Sequence, residues 1–336
     1  PISVLSAIKE ANDHQIVVKG GKYLEAMAEA DTIVFDKTGT LTKGVFKVVE
    51  TCANGISEDD LLELAAYGEY YSNHPIAASI KAAYKGTVQI DRLDGYEEIS
   101  GMGIKVLKDG KEVLVGNKKL LDSRKISMAG AKQPSKVGTV LFVAENGAYK
   151  GCITIADEIK DGVKDAIASI KKCGIDNVVM LTGDKKEVAD SVAKELGIDT
   201  VCAELMPGDK VDKVEQLLRE KDEDSTLIFT GDGINDAPVL MRADVGIAMG
   251  AMGQDAAIEA ADIVLIDDDP GKIAVAYAIA RKTVRIVQQN IVFALAVKII
   301  VMVLGALGFA NMWAAVFADV GVAFLAIINA TRALKP

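Results

Sequence analysis

Three short polar motifs each follow an apolar run in this sequence. Asp36 comes after Thr32–Phe35 and opens Asp36-Lys37-Thr38-Gly39-Thr40-Leu41-Thr42. Thr182-Gly183-Asp184 follows Asn177–Leu181, and Gly231-Asp232-Gly233 follows Thr226–Thr230. A carboxylate at a strand tip, beside backbone amides loosened by glycine, can act as a nucleophile on a phosphoryl group. Phosphoryl transfer asks mostly for positioning and charge neutralisation, and the other motifs offer both. Thr182, Gly183 and Asp184 bring a hydroxyl and adjacent amides for phosphate oxygens. Lys37 and Lys210 are cations. Asp232 and Asp236 bring hard oxygens for Mg²⁺, which binds through one or two carboxylates plus phosphate and water. Any one of these tripeptides alone is an ordinary turn; three at matching strand ends form a constellation.

The elements that must position them alternate. Further buried-looking strands read at Val245–Ala248 and Ile263–Ile266, with helical patterns at Ile159–Lys172, Lys186–Leu196 and Lys210–Glu220. Such alternation predicts a parallel, doubly wound α/β sheet, whose ligands sit at the carboxyl ends of the strands. From about Lys43 to Thr154 the alternation stops. Asp109-Gly110 and Asn146-Gly147 read as hairpin turns, and helical segments read at Glu58–Tyr71 and Pro75–Tyr84. This is an α+β module inserted after the first strand.

The 336 residues suggest two to three domains. With 38 Lys and Arg against 48 Asp and Glu, the net charge of −10 excludes a generally basic nucleic-acid binder. Cys52, Cys152, Cys173 and Cys202 form no Cys-x-x-Cys pair, so neither a disulfide framework nor a thiolate clip is indicated. The mean hydropathy of +0.23 is high for an enzyme in water. The excess lies at the end, in Ile291–Ala310, charged only at Lys298, and Met312–Ile328, charged only at Asp319. These runs span ~30 Å and ~25 Å as helices, lengths that cross a hydrocarbon core. Arg281, Lys282 and Arg285 precede the pair, and Arg332 and Lys335 follow it. Both ends of this transmembrane hairpin are therefore expected on the cytoplasmic side. Lys298 and Asp319 fall ~10 Å and ~13 Å in from that side, depths at which they can pair.

Asp36–Thr42, Thr182–Asp184 and Gly231-Asp232-Gly233-Ile234-Asn235-Asp236-Ala237-Pro238 resemble the signature set of P-type ATPases, which are haloacid-dehalogenase-like phosphotransferases. The resemblance implies that ATP phosphorylates Asp36 and that Thr38 helps bind Mg²⁺ and phosphate. It implies that Lys210, in Pro207-Gly208-Asp209-Lys210, stabilises the transferring group, that Asp36 and Asp232 hold Mg²⁺, and that Asn235 and Asp236 complete the site. Haloacid-dehalogenase phosphatases carry an acid/base Asp two positions after the nucleophile; here that position is Thr38. Losing it should slow hydrolysis of an aspartyl phosphate, which suits a pump. The insert, with Glu69, Ser72-Asn73-His74-Pro75, Gly101-Met102-Gly103 and Gly116-Asn117, resembles the nucleotide-binding domain of heavy-metal-transporting P-type ATPases. There Glu69, His74, Gly101 and Gly103, with Gly116 and Asn117, are expected around ATP. Lys298 with Asp319-Val320-Gly321 resembles the last two helices of the zinc/cadmium/lead class, and a carboxylate suits Zn²⁺ better than Cu⁺.

The resulting expectation is the C-terminal half of such a pump. Residues 1–20 would be a helix end and linker, 21–42 and 155–280 the phosphorylation domain, 43–154 the nucleotide-binding domain, and 286–332 the membrane pair. The family's Cys-Pro-Cys helix and actuator domain would lie upstream. Expected cofactors are Mg²⁺ and ATP. Expected partners are a divalent heavy-metal cation, the lipid bilayer of the cell membrane and the remainder of the pump. Asp319 would touch the transported metal, with Lys298 as counter-charge. Alternatives are a cobalt or copper cargo, a membrane-tethered phosphatase, or a non-enzymatic subunit; the last is disfavoured by the complete catalytic set.

Overall fold

The computed structural model describes residues 2–232, 236–250, 255–309 and 311–334. The chain forms two compact units, Pro1–Leu41 with Lys160–Pro336, and Thr42–Ile159. The first unit begins with α1 (Ile2–Asp13), β1 (Ile16–Val18), α2 (Gly21–Ala28) and β2 (Ala30–Asp36). Every residue of β2 but Asp31 is buried, as a central parallel strand covered on both faces requires.

The inserted unit then runs β3 (Thr42–Ala53), α3 (Glu58–Gly68), α4 (Pro75–Ala83), β4 (Leu93–Ile99), β5 (Gly103–Lys108), β6 (Lys111–Gly116), α5 (Lys118–Ser123), β7 (Thr139–Glu145) and β8 (Ala148–Ile159). Its six strands form one antiparallel sheet in the order β3-β8-β7-β6-β5-β4. The two expected hairpin turns are present. Asp109, Gly110, Asn146 and Gly147 all take positive φ, as a two-residue turn matched to sheet twist demands. Ser57 caps α3 through a reciprocal box with Asp60. Leu61, Tyr67 and Ile80 from the helices meet Val113, Val115 and Ile153 from the sheet in one core.

The chain returns to the first unit through α6 (Val163–Lys172), β9 (Asn177–Leu181), α7 (Lys186–Leu196), β10 (Thr200–Cys202), α8 (Pro207–Glu220), β11 (Thr226–Gly231), α9 (Ala237–Leu240), β12 (Val245–Met249), α10 (Asp255–Ala260) and β13 (Ile263–Leu265). The sheet order is β1-β13-β12-β11-β2-β9-β10. All pairs are parallel except β1 with β13. β2 thus lies between β11 and β9, with Phe35 level with Thr230 and Met180.

The helix that carries the first apolar run extends well before that run: α11 is one continuous helix, Gly271–Ala306, of 36 residues. Its first half is amphipathic and buries Ile273, Tyr277, Ala280 and Ile286. Tyr277 Oη donates to the Ala30 carbonyl at 3.4 Å, and Arg281 donates to the Cys173 carbonyl at 3.3 Å. Its second half is apolar and exposed from Ile291 to Leu304. The partner helix is α12 (Met312–Val316), a π-turn at Phe317–Gly321, and α13 (Val322–Ala330). Both helical segments are long and apolar enough to cross a membrane. Asn329 donates to Asn290 at 2.9 Å and Arg332 donates to Asn329 at 2.9 Å, fastening the hairpin at one end.

Candidate active site

Asp36 ends β2, where the sheet places it beside the ends of β9 and β11. Lys210 Nζ donates to Asp36 Oδ1 at 2.6 Å and to Asp236 Oδ1 at 3.0 Å. Lys210 arrives there because Leu205 N–H donates to the Thr182 carbonyl at the end of β9, and α8 starts directly after. Pro207 occupies its first position, and Asp209 accepts from Met206 N–H at 2.8 Å. Lys210 therefore lies in the first turn. Lys37 is buried and its Nζ meets Asp184 Oδ2 at 2.7 Å, joining the first motif to the second. Asp184 N–H donates to Thr182 Oγ1 at 3.1 Å, and a side chain at Gly183 would approach the Leu205 carbonyl at 3.2 Å. Asp184 is thus engaged by Lys37. Thr38 is exposed on the loop, with φ −76° and ψ 128°.

Gly39 has φ 77°, and a Cβ there would lie 2.6 Å from Asp232 Oδ2. A Cβ at Gly231 would lie 2.8 Å from Asp236 Oδ2. The two glycines thus let the carboxylates close in on the Asp36 loop. Asn235 lies outside the described residues. Asp236 Oδ2 is buried without a partner, as are the hydroxyls of Thr40 and Thr230. An orphaned buried carboxylate oxygen beside two further carboxylates and a single ammonium fits a hard divalent cation.

Burial first, then repulsion from Asp236, pushes the Asp36 carboxyl from 3.8 up to about 7; Lys210 opposes the rise and Asp232 adds to it. Burial alone would lower Lys210, yet Asp36 and Asp236 hold its ammonium above the ordinary value. Because the folded Asp36 value exceeds the unfolded one, the fold loses stability as pH rises from 3.8 through about 7. At about 1.4 kcal/mol per pH unit the cost is at most about 4 kcal/mol. In magnesium-free solution at pH 8, Asp36→Asn should therefore melt several degrees above the parent. The gain should vanish at pH 4 and shrink when Mg²⁺ is added. Differential scanning calorimetry checks this, and equal melting points at pH 8 would contradict it.

Sequence reading missed Lys160. Its Nζ donates to the Gly39 carbonyl at 2.5 Å and meets Asp268 at 2.7 Å, pinning the loop that carries Thr38. No local pattern marks it, because its partners are far away in sequence.

In the inserted unit, Glu69 caps the end of α3 and His74 caps the start of α4. His74 Nδ1 accepts from Ile76 N–H at 3.2 Å, so a neutral ring carries its proton on Nε2, as a donor. Burial raises Glu69 above the usual carboxylate range, against the Ser72 hydroxyl and the nearby His74. Asn117 donates to the Gly101 carbonyl at 2.8 Å and accepts from Leu120 N–H at 3.3 Å. Gly101 is open, with φ 70° and nothing within 4 Å of its Cβ position. Gly103 and Gly116 are also packed against neighbouring backbone. They stand opposite one another in the β5–β6 ladder. A Cβ on Gly103 would lie 2.3 Å from the Val115 carbonyl, and one on Gly116 2.3 Å from the Met102 carbonyl. Their close approach is to each other's strand. The end of α3 packs on the same place, since a Cβ at Gly68 would lie 2.4 Å from Val115.

In the apolar hairpin, Lys298 Nζ lies 3.4 Å from Asp319 Oδ1. Asp319 occupies the π-turn, a helix irregularity that frequently marks functional positions.

A family model of haloacid dehalogenase-like hydrolases matches residues 30–244. The catalytic domain of the CPx-ATPase CopB-B, solved for its conformational changes upon nucleotide binding, is 30% identical. That match covers 80% of this chain and 98% of that one, with a TM-score of 0.60. The chain belongs to the haloacid dehalogenase-like hydrolase family, in its P-type ATPase branch. A crystal structure of a zinc-transporting PIB-type ATPase in the E2.Pi state is 33% identical with a TM-score of 0.84, over 100% of this chain and 55% of that one. The cadmium, zinc and cobalt-transporting ATPase of Bacillus subtilis (strain 168) is 51% identical over 336 residues, all of this chain and 47% of the relative. This P-type ATPase chain spans about half the length of the curated relatives it matches.

Proposed function

We propose that this chain is the catalytic and C-terminal membrane portion of an ATP-driven exporter of divalent heavy metals, Zn²⁺ or Cd²⁺, working in a cell membrane. The observation that carries the reading is the buried Asp36–Lys210–Asp236 cluster at the ends of three adjacent strands, with a threonine at the acid/base position. Unit Thr42–Ile159 binds ATP, with Glu69, the Nε2 of His74 and the open Gly101 backbone toward the base. Lys210 already holds Asp36 Oδ1, so Asp36 Oδ2 attacks the γ-phosphorus while the bond to the β-phosphate oxygen breaks and ADP leaves. Asp232 and Asp236 would hold Mg²⁺, which supplies charge neutralisation for the phosphate oxygens when bound. The Thr182 hydroxyl, which accepts from Asp184 N–H, and the Gly183 amide cradle those oxygens, and Lys37 keeps Asp184 in place. Thr38 supplies no carboxylate, so the phosphoenzyme persists long enough to be relayed to the membrane helices.

The Lys298–Asp319 pair marks the cargo route. A carboxylate there costs enough to demand a role, and its hard oxygen favours Zn²⁺ over Cu⁺. In the full-length pump, Asp319→Ala should lower zinc-stimulated ATP turnover by at least about tenfold. Labelling by inorganic phosphate in the absence of zinc should survive. Unchanged zinc stimulation would remove Asp319 from the metal path.

A further inference from the structure

Tyr71 and Tyr96 of the inserted unit are 49% and 40% exposed. Single apolar side chains at a surface are ordinary, yet these two belong to a fixed row of rings. Tyr70, packed against the core of the unit, meets Tyr71 edge-on, with 5.0 Å between centroids and 83° between planes. Tyr71 in turn meets Tyr96 at 5.5 Å and 70°. Among the described residues Tyr96 has no second ring partner, so the row ends in an open ring. The backbone under both tyrosines is held. Lys81 donates to the Tyr70 carbonyl at 3.4 Å and to the Ser72 carbonyl at 3.0 Å, on either side of Tyr71. On β4, Asp94 pairs with Leu107 and Glu97 with Lys105, so one extra residue bulges the strand. Gly95, at φ 59°, takes the left-handed conformation of that bulge. Bulges re-aim side chains, and Tyr96 is the next residue. The row stands at Glu69. Tyr71 follows Glu69 by two residues, and Glu69 is itself only 7% exposed. Burial, then the charges of Glu98 and Glu69, raises the Tyr96 hydroxyl above its ordinary value. The open Gly101 lies five residues beyond Tyr96, between β4 and β5.

We propose that Tyr96, backed by Tyr71, is the stacking surface for the purine base of the nucleotide, which rests on the reading that this unit binds ATP. Glu69 and His74 can hydrogen-bond the edge of a base, but neither covers its face. A ring beside them does, and such stacking tolerates any base, because every base has a π-face. Tyr96 therefore supplies affinity. The Glu69 carboxylate, an acceptor, supplies the preference for adenine, whose N6 donates where guanine presents the O6 acceptor. The other use of an exposed edge is pairing with a further strand. The bulge opposes it, and so do the exposed charges of Asp94, Glu97 and Glu98 on β4.

The test titrates ATP, GTP and inorganic tripolyphosphate into the full chain in detergent micelles, by calorimetry and by proton NMR of the nucleotide. Stacking predicts upfield ring-current shifts of adenine H2 and H8 on binding. Tyr96→Leu should abolish those shifts and weaken ATP and GTP together, by about tenfold. Tyr96→Phe should keep both shifts and affinity, which guards against simple misfolding. Tripolyphosphate, having no base, should bind the parent and Tyr96→Leu equally. A parent that binds ATP with unshifted adenine protons would overturn the stack and leave the ATP reading standing. So would a Tyr96→Leu variant as tight as the parent, or a Tyr96→Phe variant as weak as Tyr96→Leu. A folded parent that bound no ATP would overturn both.

Discussion

Lys210→Met should lower the rate of phosphoenzyme formation by about 10²–10³-fold, the usual loss for one preorganised charge aimed at a transition state. The reason is the geometry of one ammonium shared between two carboxylates, Asp36 Oδ1 at 2.6 Å and Asp236 Oδ1 at 3.0 Å. Methionine keeps the length of the side chain and removes the charge. Two consequences then add. The γ-phosphate oxygens lose a cation, and Asp36, already raised to about 7, rises further, so less of the nucleophile is ionised near neutrality. The defect should therefore lessen as pH is raised from 7 to 9, because the ionised fraction of Asp36 recovers. Rapid-quench labelling across that range measures it. The lysine side chain is only 15% exposed, so its loss strands buried carboxylates at a cost of about 3–5 kcal/mol. A lower melting point without Mg²⁺, partly restored by Mg²⁺, should accompany the kinetic defect. A variant that labels at the parental rate would leave Lys210 a structural ion-pair partner only.

Thr38→Asp should act on the other half of the cycle. Thr38 is exposed, two positions after the nucleophile, on a backbone with φ −76° that any residue tolerates. Its loop is held from behind by Lys160 on the Gly39 carbonyl. A carboxylate placed there can take a proton from water attacking the aspartyl phosphate, an effect worth about 10²–10⁴-fold. Dephosphorylation should accelerate toward that range and the steady-state label should collapse. Chase of preformed phosphoenzyme with unlabelled ATP gives the rate directly. Asn at the same position lacks the base and serves as the control. Equal decay of the Asp and Asn variants would show that something other than a missing general base protects the phosphoenzyme.

The cluster at the strand ends was legible in the sequence because each part is local. Asp36, Thr182 and Asp232 each sit within one residue of a strand's end, and strand ends in a parallel sheet converge. The hairpin turns were legible for the same reason, through Asp109-Gly110 and Asn146-Gly147. What was hidden depends on distant pairing. Lys160 finds Gly39 at a sequence separation of 121, and Cys52 meets Cys152 through strands joined by most of the inserted unit. The pairing of Gly103 with Gly116 across β5–β6, where a side chain would strike the facing backbone, was hidden for the same reason. The true start of α11 escaped because its first half is amphipathic and packs on the sheet's helices. Apolar length alone sees only the exposed half.

The most direct measurement is acid-quenched labelling of the chain, and of the full-length pump with and without zinc, using γ-labelled ATP and Mg²⁺, then hydroxylamine and peptide mapping. A hydroxylamine-labile label on the peptide carrying Asp36, absent in Asp36→Asn, is the result predicted by a strand-end carboxylate poised beside Lys210. A full-length pump that binds MgATP and zinc but forms no acyl phosphate, or one labelled at another residue, would contradict it.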